Sequence, residues 1–192
     1  MKSFKQFLLE NQTKYVAIYG GRFQPMHKGH HSVYRKACDM FGKDNVYIST
    51  SNKINLDDKK GKISPFNFED KKRIMTDLYG IDEDKIVQTK SPIFAPAEIV
   101  SEKPDHAVIM IVGDKDVDRY HAADYSEFVG FDHLAPNGHY FYNAGNQEGG
   151  LSSTDIRSHL STGYKEAFSK VFGKYDEDLH NMVQDRLQAV SK

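Results

Sequence analysis

Tyr15-Val16-Ala17-Ile18-Tyr19-Gly20-Gly21-Arg22-Phe23-Gln24-Pro25-Met26-His27-Lys28-Gly29-His30 is the stretch that decides the reading of this chain. Its first five residues are a β-rich apolar run that stops at a glycine pair, the pattern of a buried strand feeding a tight turn. From about Gly29 to Phe41 the spacing turns helical, with Val33, Ala37 and Met40 on one stripe. Val46-Tyr47-Ile48-Ser49 is the next strand candidate. Strand, helix and strand together predict a parallel pair joined by a right-handed crossover.

Outward from this unit the alternation continues. A polar loop rich in Lys and Asp runs from Asn52 to Lys62, over the surface and in reach of a site. Ser64-Pro65 reads as a helix start, with Glu69 and Asp70 at its N-terminal end and Ile74, Met75 and Leu78 as its apolar stripe. Strands are expected over Lys85–Thr89, over Ala107–Val112 (which ends at Gly113) and at Tyr140–Tyr142. The tail is helical: Thr154 to Leu160 is amphipathic, and Leu179, Val183, Leu187 and Val190 form one stripe suited to packing on the domain. The predicted fold is α/β, a doubly wound, Rossmann-like parallel sheet with a C-terminal helical extension. Residues 1–13 stand apart as an N-terminal helical segment or leader, and 14–192 read as one domain including C-terminal helices over 164–192.

Composition narrows the class. The 192 residues are 39% hydrophobic and 28% charged, enough apolar content for a packed core and too much for wholesale disorder. No apolar run reaches the roughly 20 residues of a membrane-spanning helix. A single cysteine, Cys38, forms no internal disulfide and points to a reducing cytoplasm. The net charge of -1 supplies no general basic field for long nucleic acid. Phosphate chemistry here has to rest on local groups.

Two segments supply such groups. In the first, Gly20, Gly21 and Gly29 allow close approach to backbone, and the helix start offers free amides and a positive dipole end. His27 and His30 can converge there, each donating to negative charge, with Arg22 and Phe23 beside them. Zinc is the competing use of two histidines, but no cysteine or carboxylate ligand set accompanies them. The segment has neither P-loop spacing nor the G-x-G-x-x-G fingerprint. The second segment is Leu151-Ser152-Ser153-Thr154-Asp155-Ile156-Arg157. Its hydroxyls at a helix start, followed one turn later by Arg157, make either ordinary capping or an anion site.

His27-Lys28-Gly29-His30 resembles the H-x-G-H motif of the nucleotidyltransferase superfamily that includes NMN adenylyltransferases and cytidylyltransferases. The longer string Gly21-Arg22-Phe23-Gln24-Pro25 most resembles the archaeal-type NMN adenylyltransferases and their bacterial relatives. Ser152-Ser153-Thr154-Asp155-Ile156-Arg157 resembles the second signature, in its expected late position. Ser64-Pro65-Phe66 with Arg73-Ile74 resembles a family helix, which implies Arg73 in the acceptor pocket, against the plain alternative of a solvated charge. Gly113-Asp114 is similar to the Gly-Asn or Gly-Asp beside the bound nucleotide, whereas Asp116 and Arg119 read as surface charge.

The resemblance implies in-line attack by an acceptor phosphate on the α-phosphate of ATP, with NMN as acceptor and NAD and pyrophosphate as products. It makes His27, His30 and Arg157 catalytic, with Ser152, Ser153 and Thr154 on the β- and γ-phosphates. Arg22 steadies the triphosphate or the acceptor. Mg2+ is the implied cofactor, held mainly by phosphates rather than by protein ligands. Phe23, Phe66, Phe94 and Asn143 are candidates for the nicotinamide pocket. The alternatives are a cytidylyltransferase, or another adenylyltransferase acting on a phosphorylated small molecule. A third comes from Met1-Lys2-Ser3-Phe4-Lys5-Gln6-Phe7-Leu8-Leu9-Glu10, which resembles leaders that direct internal proteins into tailed-phage heads. That implies a phage-encoded protein working in the host cytoplasm or packaged in the virion, a packaged or noncatalytic nucleotide-binding protein as the alternative to an enzyme, and a packed N-terminal helix is the other reading of the segment. The C-terminal stripe suits intramolecular packing and a homo-oligomer interface equally.

Overall fold

The computed structural model describes residues 13–57, 59, 62–145 and 153–190. The strands are β1 (Tyr15–Gly20), β2 (Val46–Thr50), β3 (Ile86–Gln88), β4 (Ala107–Val112), β5 (Ser126–Glu127) and β6 (His139–Asn143). They form one parallel sheet in the order β3-β2-β1-β4-β6-β5. The helices are α1 (Lys28–Phe41), α2 (Phe68–Arg73, continued by a π-turn over Ile74–Leu78), α3 (Ala97–Glu102), α4 (Val117–His121), α5 (Ser153–Leu160), α6 (Lys165–Phe172) and α7 (Glu177–Gln188). The Rossmann-like α/β fold is therefore as the sequence predicts.

Period-two alternation sends neighbouring residues of each strand to opposite layers. Ala17 and Tyr19 meet Val33, Tyr34, Ala37 and Phe41 of α1 on one face, while Val16 and Ile18 join Ile99 of α3 and Tyr120 of α4 on the other. β4 is buried along its whole length, which accounts for its unbroken apolar run. A third cluster joins Ile156, Leu160, Phe168, Phe172, Leu179, Val183 and Leu187 to Phe66, Ile74 and Leu78. The C-terminal helices thus pack on the α2 segment, each large side chain contributing about 1.5–3 kcal/mol by burial. Arg186 of α7 adds a fork of two bonds to Asp70, at 2.8 and 3.0 Å.

Several boundaries differ from expectation. The helix predicted at Ser64 begins at Phe68, because Asn67 and Asp70 form a reciprocal capping box there. Ser64 instead bridges antiparallel to Asn55 and closes the base of the polar loop. Met40 is 43% exposed, and Phe41 takes the core position its stripe implied. The short β5, α3 and α4 have too few residues for a periodic signal.

Chain direction decides where a ligand can bind. From β1 the chain moves outward through β2 and β3, then crosses back to β4 on the other side of β1 and continues to the other edge. The carboxyl ends of β1 and β4 therefore flank the topological switch point, where open α/β sheets leave a crevice.

Candidate active site

His27 and His30 stand at that crevice and cap α1 for each other. The His27 Nδ1 accepts the Gly29 N–H at 3.1 Å, and the His30 Nδ1 accepts the His27 N–H at 3.4 Å. Two imidazoles thus do the work of a Ser/Glu capping box. Because each Nδ1 accepts, the hydrogen-bond network assigns the proton of each neutral ring to Nε2. The rings lie 3.9 Å apart between centroids, so the two remaining N–H donors belong to one small site.

Electrostatics keeps both rings neutral. Burial, with Lys28 beside it, lowers His27 to about 4. Burial also pushes His30 well below the usual imidazole range, aided by His27 and by Lys115. Lys115, in the turn after β4, is a cation that the sequence reading passed over. Acid should expose this arrangement. Unfolded, His27 takes a proton near 6.5; folded, only near 4, so the unfolded chain holds more protons in between and stability falls as pH falls through that window. The expected loss at pH 5 from His27 alone is about 2 kcal/mol. Urea denaturation at pH 7 and pH 5, compared between the wild type and His27→Asn, which still offers a cap acceptor, measures it: the variant should show a pH difference smaller by about that amount, the part due to His30 remaining.

The turn before the histidines is built tightly. Phe23 has a positive φ of 44°, and its ring covers Gly21, where a Cβ would stand 2.7 Å from the ring carbon Cζ. That ring also meets His30 edge-on at 5.1 Å. Gly20 is needed for a different close approach, since its Cβ would lie 1.8 Å from the Pro92 carbonyl oxygen. The sequence assigned these glycines to ligand approach; the structure shows protein occupying the space at both. Gln24 is buried and clasps the backbone of Phe66, donating to its carbonyl at 2.8 Å and accepting its N–H at 3.0 Å.

The two ends of the motif pattern meet. Arg157 of α5 donates to the Gln24 carbonyl at 3.3 Å across 133 residues. Burial, then the neighbouring Arg22, lowers the Arg157 guanidinium below its usual value. Two guanidiniums close enough to influence each other, both tied to the turn that leads to the histidine pair, are a combination chemically suited to a polyanion. Ser152 and the side chains of Ser153 and Thr154 lie outside the described residues. Gly113 and Asp114 follow β4 at the crevice, and Asn143 ties Asp114 to β6 with a 2.9 Å bond.

Other candidates lie elsewhere. Arg73 is exposed, pairs with Asp77 at 3.3 Å and shares a surface groove with Asp178 and Arg186 of α7. Phe23 and Phe66 are core residues, whereas Phe94 is 46% exposed on the loop whose Pro92 covers Gly20. Asp116 and Arg119 pair with each other at 2.9 Å, in keeping with surface charge. Beside Arg22 a pocket of about 180 Å³ is lined by Arg22, Gln24, Ser51, Lys53, Asn55, Lys62 and Ser64. Three cations and no carboxylate line it, which sequence order alone does not bring together. Among the described residues no group of three or more His, Cys, Asp or Glu side chains could hold a metal ion.

Residues 18–159, which include both signature segments, match the model of the cytidylyltransferase-like family. The chain belongs to that family. By that family it stands in the nucleotidyltransferase superfamily. The chain is similar in structure to a bifunctional NMN adenylyltransferase/ADP ribose pyrophosphatase from Francisella tularensis, solved with AMP and a manganese ion. The TM-score is 0.58 at 18% identity, covering 93% of this chain and 51% of that one. The chain thus spans about half the length of the Francisella protein. It is also similar to a putative nicotinate-nucleotide adenylyltransferase from Vibrio parahaemolyticus, with a TM-score of 0.52 and 14% identity over 94% of this chain and 98% of that one. At such identities the likeness shows the fold. A search of curated protein sequences finds no match. The head-targeting leader read at residues 1–10 lies outside the described residues, and neither the family match nor the structural neighbours support it. Among the described residues no helix is long and apolar enough to cross a membrane.

Proposed function

We propose that this nucleotidyltransferase moves the adenylyl group of ATP onto the phosphate of NMN, producing NAD and pyrophosphate. The observation that carries the reading is the bond from Arg157 to the Gln24 carbonyl, in the turn that leads from β1 to His27 and His30. Support for NMN comes from the Gly21-Arg22-Phe23-Gln24-Pro25 string and from structural neighbours named as NMN and nicotinate-nucleotide adenylyltransferases.

In this mechanism an oxygen of the acceptor phosphate attacks the α-phosphorus in line, a new P–O bond forms, and the bond to the β-phosphate oxygen breaks to release pyrophosphate. No covalent enzyme intermediate is needed, so positioning and charge stabilisation carry the rate. The Nε2–H groups of His27 and His30 donate to α- and β-phosphate oxygens as charge builds, without first giving up a proton. Arg157, with Ser152, Ser153 and Thr154, holds the β- and γ-phosphates, and Lys115 adds positive charge from the β4 side. Arg22, Lys53 and Lys62 receive the acceptor phosphate in the 180 Å³ pocket. Phe94 offers the exposed aromatic face for a base. Mg2+ would take its ligands from phosphate oxygens and water and would neutralise the leaving pyrophosphate.

The family's name keeps CTP as the rival donor. A magnesium-dependent assay offering ATP or CTP with NMN, glycerol 3-phosphate or phosphopantetheine separates them, read by pyrophosphate release and product mass. NAD from ATP and NMN is the expected product. A preference for CTP, or for another acceptor, rejects the specific reading and keeps the chemistry.

A further inference from the structure

Lys71 is fully buried, and the mechanism above does not use it. It projects from α2 to the carboxyl ends of β1 and β2, where its ammonium spends its three protons on protein oxygens. These are the Thr50 hydroxyl at 2.9 Å, the Arg22 carbonyl at 3.4 Å and the Ser51 carbonyl, which lies closer still. The Thr50 hydroxyl in turn donates to the same Arg22 carbonyl at 3.3 Å. Arg22 and Ser51 belong to different strand-end loops, and both line the pocket that also holds Lys53 and Lys62. One side chain therefore joins the two loops beneath the pocket.

We propose that Lys71 is a positioning residue for the acceptor-phosphate pocket, locking the Arg22 and Ser51 backbones so that the Arg22 guanidinium faces the bound phosphate. The inference rests on the reading of that pocket as the acceptor's. Its physical basis is that a buried ammonium is costly unless every proton is bonded, and here every proton is. An apolar side chain would fill the space but leave two loop carbonyls without this donor. Burial lowers Lys71 to about 8, opposed by Asp70 next to it, so the ammonium form prevails at neutral pH. With no proton left over, Lys71 acts through Arg22 and Ser51 rather than on substrate.

The test titrates inorganic phosphate into protein already saturated with magnesium and α,β-methylene-ATP, so that phosphate reports the remaining anion pocket. Lys71→Met should weaken phosphate binding by about tenfold or more, while affinity for the ATP analogue changes by less than about threefold. Thr50→Val, which removes one of the three acceptors, should weaken phosphate by about threefold and decides the matter if Lys71→Met does not fold. In turnover with NMN the same variants should raise the acceptor KM and leave kcat nearly unchanged. Wild-type phosphate affinity in the variants overturns the proposal, as does an equal loss of phosphate and ATP analogue, or a wild-type protein that binds no phosphate. Wild-type protein that binds phosphate in a Lys71-dependent way but makes no NAD rejects NMN as substrate and leaves the role of Lys71 standing.

Discussion

His30→Asn should lower turnover by about a hundredfold or more while the protein keeps nearly its full resistance to urea. The side chain has two separable tasks. Its Nδ1 accepts the His27 N–H and helps start α1, and its Nε2–H is the donor assigned to the transferring phosphate. Asparagine places an oxygen about where Nδ1 stands, so the cap survives, but nothing replaces the distal donor. His30→Ala should reach a similar turnover and also lose roughly 1 kcal/mol of stability, the worth of a cap. The comparison of kcat and urea midpoint across the two variants measures each task. Near-normal turnover in either one defeats the donor role.

Arg157→Lys should lower kcat/KM for ATP by about a hundredfold, despite keeping the charge. The guanidinium anchors on the Gln24 carbonyl at 3.3 Å while standing close enough to Arg22 to be depressed by it. A planar fork can hold that carbonyl and a phosphate oxygen together; a lysine ammonium is a single point on a flexible stem. Most of the loss should fall on the ATP KM if Arg157 only binds, and on kcat if its contacts tighten as pyrophosphate leaves. Steady-state kinetics with ATP varied at saturating acceptor separates the two. An unchanged kcat/KM would detach the second signature segment from the site.

Much of the architecture is legible locally. Tyr15–Tyr19 and Ala107–Val112 are continuous apolar runs ending in glycine because both their faces are covered, and α1 declares itself by period. The histidine pair could be placed at a helix start for the same reason. What spacing along the chain could not show is what each side chain faces once the layers are assembled. Arg73 matched a family pattern, yet its helix turns it toward Asp77 and α7. Gln24 read as part of a signature and proves to be the clasp on Phe66. Lys71 stood among charged neighbours on α2 with nothing in the local sequence to mark it as the buried one.

The sequence by itself therefore determined the strand–turn–helix unit, the parallel doubly wound class and the two motif segments, since these depend on periods and turn residues a few positions apart. Only the tertiary structure decided that Arg157 closes on the Gln24 carbonyl, that Lys115 comes near enough to His30 to help lower it and that Arg22, Lys53 and Lys62 share one pocket. The reason is physical: β1 and β2 lie side by side and the crossover after β3 sets β4 on the other side of β1, so loops far apart in the chain meet at the strand ends, and packing brings together residues that no local period connects.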